Sequence, residues 1–325
     1  MCELQLPDNY LLKLLQQAKQ NYQFQANKRK RGKPLTYSAQ SFWLLSLVAV
    51  LLRAFAASEL HCLLSKDESL RAVLEFERVP HRKTIARRIS HLTTLGEQQI
   101  AAFGLKILTA FAISQQEVSA IDGRMYEALG PLWHKRDRQQ GVVPCKLRNV
   151  DVESEWFKSG YRGWVQGYRL VMQGLVFPES VPLFAVWRAN NEGESTIVKD
   201  ALKDEKLIVT DVLLGDETFG GEELGSLYKQ AGGYLLTPKQ FSPKNRTWKN
   251  ELFEYRKETI ELLFQRVIQA TDIKECKVQG LGKNGAFVLA SVWLYQLVFW
   301  CNHKAYKPLT IIKEQVDLAR WRVPT

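Results

Sequence analysis

Apolar residues recur at helical spacing through the first third of the chain and then give way to runs of strand length. Phe42, Leu45, Val48, Leu51 and Leu52 form a stripe broad enough for a core helix, and the hydroxyls between Thr36 and Ser41 supply its cap. Ser65 with Glu68, and Thr94 with Glu97, fit the capping-box spacing and predict two further helix starts. Val79-Pro80 closes one helix because a proline restricts the residue before it, and His81 to Leu92 opens the next. On that segment Ile85, Ile89 and Leu92 share a face while Arg82, Lys83, Arg87, Arg88 and His91 project elsewhere, as in the second helix of a helix-turn-helix.

From about residue 117 the period changes. Val118 to Asp122 reads as a short buried strand ending in a carboxylate, and Gly163 to Phe177 and Pro182 to Trp187 as further strands. Ser195 to Leu202 reads as a helix, Val212 to Leu214 as a strand running into Asp216, Glu222 to Leu224 as a helix start, and Gly233 to Leu236 as a strand. Leu252 to Ile268 and Ala286 to Cys301 return to helix. Strands alternating with helices predict an α/β class with a mixed sheet. The apolar runs Phe42 to Leu52 and Ala286 to Cys301 are shorter than the roughly 18 to 20 residues that cross a bilayer, so both are expected as buried helices and no membrane partner is expected.

Charge sharpens this picture. The 325 residues carry a formal net charge of +11, and the excess is uneven: residues 1 to 116 hold sixteen Lys and Arg against eight Asp and Glu. A polyanionic partner is favoured, with the basic helix from His81 as its contact, while the run Lys28 to Lys33 reads as an arm that either grips phosphates or solubilises a linker. Five cysteines without paired spacing suggest neither a disulfide framework nor a thiolate zinc site, which fits a reducing cytoplasm. The amino terminus lacks the basic start and apolar run of a secretion signal.

Two residues carry the candidate chemistry. Asp122 and Asp216 each follow an apolar strand, where α/β sheets place their sites. Asp211 is the weaker competitor for the second position, because it precedes its apolar run. A third acid is available on the helix whose buried stripe is Ile260, Leu263, Phe264, Val267 and Ile268; Glu254, Glu258 and Glu261 line its neighbouring polar face. Three converging carboxylates would bind hard divalent cations and serve phosphodiester chemistry. Lys239, Lys244, Arg246 and Lys249, interleaved with Phe241 and Trp248, form a loop suited to a splayed DNA end, and Trp133 to Arg138 is a similar segment. Gly280 to Gly285 matches a dinucleotide fingerprint but lacks its strand and its acid, so it is expected to open the last buried helix. The five histidines show no ligand pairing.

The order of several motifs resembles the insertion-sequence DDE transposases. They are Ala120-Ile121-Asp122-Gly123, Gly167-Tyr168-Arg169-Leu170, Ala189 to Ser195, Leu214 to Phe219 with Glu222-Glu223-Leu224, and Ile260-Glu261-Leu262-Leu263-Phe264. The front part, from Gly32-Lys33-Pro34-Leu35 through Ser69 to Leu74, Pro80 and Thr84, is similar to that family's helical DNA-binding region. The resemblance implies an RNase H-like mixed sheet flanked by helices, preceded by an all-helical DNA-binding region. The corresponding boundaries are 1–116 for the DNA-binding region, 117–303 for the catalytic domain and 304–325 for a C-terminal tail.

The same resemblance implies that Asp122, Asp216 and Glu261 hold two Mg²⁺ ions, with Mn²⁺ able to substitute. The Ile-Glu-x-x-Phe match selects Glu261 over Glu258. Arg82, Lys83, Arg87, Arg88, Lys239, Lys244, Arg246, Lys249, Arg256 and Lys257 would contact element ends and target DNA, in a synaptic homodimer on bacterial nucleoid DNA. The family often has Tyr seven and Arg four residues before its Glu and Lys seven after. Here those positions are Glu254, Lys257 and Ile268, with Tyr255 and Arg256 close by but out of register. The alternative is a catalytically silent DNA-binding protein on the same fold.

Overall fold

The computed structural model describes residues 10–23, 36–111, 117–143, 145, 147, 149–160, 162–176, 179–238, 248–309 and 311–320. The front of the chain is six helices: α1 (Tyr10–Asn21), α2 (Ala39–Leu52), α3 (Ala57–Lys66), α4 (Glu68–Val73), α5 (Arg82–Ile89) and α6 (Thr93–Phe111). Ser38 caps α2 by accepting from the Ser41 N–H at 2.9 Å, within the stretch where the sequence places a cap. The two predicted capping boxes are not used. Asp67 caps α4, taking the Leu70 N–H at 2.8 Å, while the Ser65 hydroxyl donates back to the His61 carbonyl inside α3. Thr94 lies within α6, and Glu97 is turned inward, accepting from the Trp187 N–H and Arg188.

The α/β part comprises β1 (Val118–Glu127), α7 (Lys135–Gln139), β2 (Glu155–Ser159), β3 (Gly163–Leu175), β4 (Val181–Ala189), α8 (Glu194–Lys203), β5 (Val212–Leu214), α9 (Glu222–Gln230) and β6 (Tyr234–Leu236). α10 (Trp248–Arg256), a π turn (Lys257–Glu261), α11 (Leu262–Thr271), α12 (Leu281–Lys304) and α13 (Ile312–Arg320) complete it. β3 runs antiparallel to both of its neighbours, β4 and β1, and β1, β5 and β6 run parallel, in the spatial order β4-β3-β1-β5-β6. β2, which sequence periodicity missed, pairs with the first residues of β3 on the edge that β4 takes further along.

β1 does not end at Asp122 as expected. It continues to Glu127 because the long β3 gives it a partner as far as Gly167. β3 is buried from Val165 to Leu175, since helices cover both faces of the sheet and both sets of alternating side chains are removed from water. Ile121, Val171, Phe184 and Val186 face α8 and α9; Ala120, Leu170, Met172, Ala185 and Trp187 face α11 and α12. This is a mixed α/β fold, a curled sheet flanked by helices and preceded by a helical region.

One core runs through both parts. α12 packs against α2, α6 and β4 together, and Trp293 meets Trp43 and Phe103. It is longer than the apolar run within it suggested. Among the described helices it alone is long and apolar enough to cross a membrane, and its apolar window is 94% buried inside the protein. Gly280 and Leu281 at its start donate to Asp151 and Glu153, which explains the glycine-rich segment as a helix opening. The expected C-terminal tail carries α13, which buries Ile312, Val316 and Ala319 and packs on α11 and α1. Cys62, Cys145, Cys276 and Cys301 are free thiols.

Candidate metal centre

β1 and β5 pair only as far as Ala120 and Leu214. Asp122 and Asp216 each stand two residues past that last pair, so the parallel register sets the two carboxylates side by side where the strands part. Asp216 also caps a short 3₁₀ turn (Glu217–Phe219), accepting from the Thr218 N–H at 2.8 Å and its hydroxyl at 2.5 Å. Asp211 sits at the other end of β5, where it accepts the Glu117 N–H.

A third carboxylate arrives from the opposite face of the sheet. Glu194 opens α8, and an oxygen from each of Asp122, Glu194 and Asp216 lies within 4.8 Å of the other two. The Glu194 side chain lies where a Cβ at position 123 would be, so it approaches β1 over the bare backbone of Gly123. The Thr218 hydroxyl lies 3.3 Å from Glu194 Oε2 and 2.5 Å from Asp216 Oδ1, within reach of both.

Two buried arginines balance the three acids. Arg169 on β3, 1% exposed, places Nε 3.3 Å from Glu194 Oε1, donates from Nη1 to the Glu192 carbonyl at 2.8 Å and stacks 4.2 Å over the Phe157 ring. Arg256, at the end of α10, places Nη2 3.3 Å from Asp122 Oδ2. Arg256 Nε and Arg169 Nη2 are buried without a hydrogen-bond partner. Burial pushes the Asp122 carboxyl up to about 6; Arg256 and the Gly123 N–H oppose the rise, and Asp216 and Glu194 add to it. Burial likewise raises Glu194 against the pull of Arg169. The donor set is all oxygen and carries excess negative charge, which suits a hard divalent cation.

Of the three acids the sequence put forward, Asp122 and Asp216 meet in this cluster. Glu261 is not part of it: Glu261 ends the π turn and is exposed, as are Glu254 and Glu258. The π turn bears on the register offset, because it stacks residue i+5 where an α-helix stacks i+4. Arg256 is five residues before Glu261 instead of four, and the backbone between them absorbs the extra residue. Glu194 lies within the Ala189 to Ser195 motif, to which the sequence assigns no chemical role. Its signal was indirect, a glycine directly after Asp122.

The expected DNA contacts divide. Arg82, Lys83 and Arg87 are exposed on α5, but Arg88 is turned inward. It donates to the Tyr37 carbonyl at 3.1 Å and sits 5.1 Å over the Phe42 ring, so it braces α2 instead of facing solvent. Eight residues separate α4 from α5, more than the turn of a helix-turn-helix, and α5 packs mainly on α3 and α2. Lys257 is exposed, Arg256 is buried at Asp122, and Lys249 lies 5.6 Å over the Tyr234 ring. Lys239, Lys244, Arg246 and Phe241 lie outside the described residues.

The strand order β4-β3-β1-β5-β6, with carboxylates at the parting of its first two parallel strands, is the RNase H-like arrangement. No protein-family model and no curated protein sequence matches the chain. Among solved structures it is similar to the piggyBac transposase in a synaptic complex with hairpin DNA, at 9% identity over 97% of this chain and 77% of that one, with a TM-score of 0.41. It is also similar to the Mos1 transposase in a paired-end complex with the left transposon end, at 11% identity over 86% and 84%, TM-score 0.22. A Mos1 mariner paired-end complex with Mn matches at 11% identity over 88% and 85%, TM-score 0.20.

Proposed function

We propose that this chain is a DNA transposase that nicks DNA at the ends of an insertion sequence and joins the freed 3′ hydroxyls to target DNA. The observation that carries the reading is the placement of Asp122 and Asp216 side by side at the parting of β1 and β5, on an RNase H-like sheet with oxygen donors for a divalent cation. Bound there, Mg²⁺ or Mn²⁺ would activate the attacking oxygen and stabilise the leaving one.

The chain's own residues supply the rest. Asp122 and Asp216 hold the cations; Glu261, the third acid that the family resemblance implies, is exposed and outside their cluster. Arg82, Lys83 and Arg87 on α5 grip element-end DNA, with Lys249 and Lys257 beyond them; Arg256, buried against Asp122, does not. The resemblance also carries the synaptic homodimer and the bacterial nucleoid setting. A second reading, a catalytically silent DNA-binding protein, is favoured by one contact: Arg256 is ion-paired to Asp122, as a permanent internal cation would be.

Incubating the full-length protein with DNA flanking its own gene and mapping Mg²⁺-dependent nicks separates the two. Nicks at discrete element ends, lost in Asp122→Asn and Asp216→Asn with DNA binding retained, support the transposase. DNA binding without nicking at any divalent cation supports the silent protein.

A further inference from the structure

The acid that the fold brings to Asp122 and Asp216 is on α8, not on the helix after β6. We propose that Glu194 is a metal ligand of this site, holding a hard divalent cation together with Asp122 and Asp216. The inference rests on the divalent-cation reading above and changes its ligand set.

Four features of the structure are built around this carboxylate. Gly123 leaves the space it occupies, and any side chain there would collide with it. Arg169 holds it from behind: the guanidinium is clamped between the Phe157 ring and the Glu192 carbonyl, so the first turn of α8 cannot drift from β3. Thr218 lies against both Glu194 and Asp216, fixing the second acid relative to the third. Arg256 presses into the same cluster from the other side with its side chain only 5% exposed, and its buried Nε finds no acceptor. The cluster therefore already draws in a buried cation, one whose donors the protein does not fully satisfy.

A counter-ion role for Arg169 would account for the Arg169–Glu194 pair alone. It would not require the glycine beside Asp122, nor a carboxylate oxygen within 4.8 Å of both aspartates. Replacing a counter-ion changes stability and leaves cation affinity close to its original value. Replacing a ligand changes affinity.

The test uses the full-length protein without DNA. Mn²⁺ titrations followed by the electron paramagnetic resonance of the free ion are expected to reveal a site lost in Asp122→Asn. Glu194→Gln should weaken that site about tenfold or more, the scale on which metal sites respond to lost support. Glu261→Gln, and Glu192→Gln as a neighbouring-charge control, should bind close to wild type. Glu194→Gln binding like wild type overturns the inference while the metal reading stands. A wild-type protein with no Asp122-dependent Mn²⁺ site overturns the metal reading, and the inference with it.

Because Glu194→Gln leaves buried Arg169 unpaired and can unfold the chain, the wild-type protein supplies an independent measurement. Fe²⁺ with ascorbate and peroxide should cleave the backbone near residues 122, 194 and 216. Cleavage near 122 and 216 that spares 194 and appears near 261 also overturns the assignment.

Discussion

Gly123 and Glu194 share one volume: the Glu194 carboxylate fills the place where a side chain on residue 123 would be. The atoms that an added methyl would meet are the far end of a flexible chain, so the acid swings aside more readily than the strand distorts. On the proposed reading, Gly123→Ala is therefore expected to melt close to wild type while nicking falls about ten- to a hundredfold, as misplacing a group at the reacting centre by an ångström does. Gly193→Ala, whose nearest neighbour is Thr196 Oγ1 at 3.7 Å, should leave both unchanged. Equal activity in the two variants would remove Glu194 from the chemistry.

The raised Asp122 carboxyl has a consequence for stability. Its folded value of about 6 lies above the ordinary 3.8, so the folded chain binds that proton more tightly than the unfolded one. Stability from this group is full below the ordinary value and is lost as pH rises through 6. Without divalent cation, Asp122→Asn is expected to stabilise the protein at pH 7.5 by on the order of 2 to 3 kcal/mol, the free energy of raising this carboxyl from 3.8 to about 6. The gain should shrink as pH falls toward 4. Denaturant unfolding in chelator across that range checks it, and a variant less stable at pH 7.5 would mean that the lost partner of Arg256 outweighs the relieved carboxylate.

How much of this was legible in the sequence depends on whether the signal was local. The strands carrying Asp122 and Asp216 were readable because buried parallel strands are uniformly apolar and the acids follow them directly. β2 was not, since Glu155-Trp156-Phe157-Lys158-Ser159 shows no clean alternation and forms only because β3 extends beyond β4. The two capping boxes failed for a related reason: Glu97 is claimed by Trp187 and Arg188, partners far along the chain, and Asp67 sits closer to the start of α4 than Ser65. Glu194 was hidden for the same reason, because only the folded sheet brings α8 across Gly123.

Arg87 and Arg88 are adjacent on α5 and should behave oppositely. Arg88→Ala loses a cation–π contact and a hydrogen bond to Tyr37, and is expected to destabilise the chain by about 1 to 2 kcal/mol. Arg87→Ala, at an exposed position, should change stability by less than about 0.5 kcal/mol. Its effect should appear in DNA binding instead, as weaker affinity with a salt slope shallower by about 1 if it touches phosphate. Thermal melts and fluorescence-anisotropy titrations at several salt concentrations check the pair; matching melts would refute the inward placement of Arg88.

Gln296 is buried in the middle of α12, and its Nε2 donates to the Ile100 carbonyl at 3.0 Å and the Pro182 carbonyl at 2.8 Å. Gln296→Leu fills similar space but takes the donor from both carbonyls, which should cost about 0.5 to 1.5 kcal/mol. A denaturant midpoint equal to wild type would show that those carbonyls are satisfied without it.

That same amide makes α12 behave as the beam of a caliper. One end of the helix is pressed against the carbonyl of Ser90, where α5 finishes, and its middle is pinned to α6 and to the strand next but one to β1. With 24 residues at 1.5 Å each it spans about 36 Å without a kink-forming proline. On the proposed reading, the opening between the grip on DNA and the acids that cut it is fixed by a straight helix and the packing and hydrogen bonds at its two attachments. The cleavage position is then measured out in base pairs from the gripped sequence, so DNA lengthened between the two should be cut at the same distance from the grip and not at the displaced end.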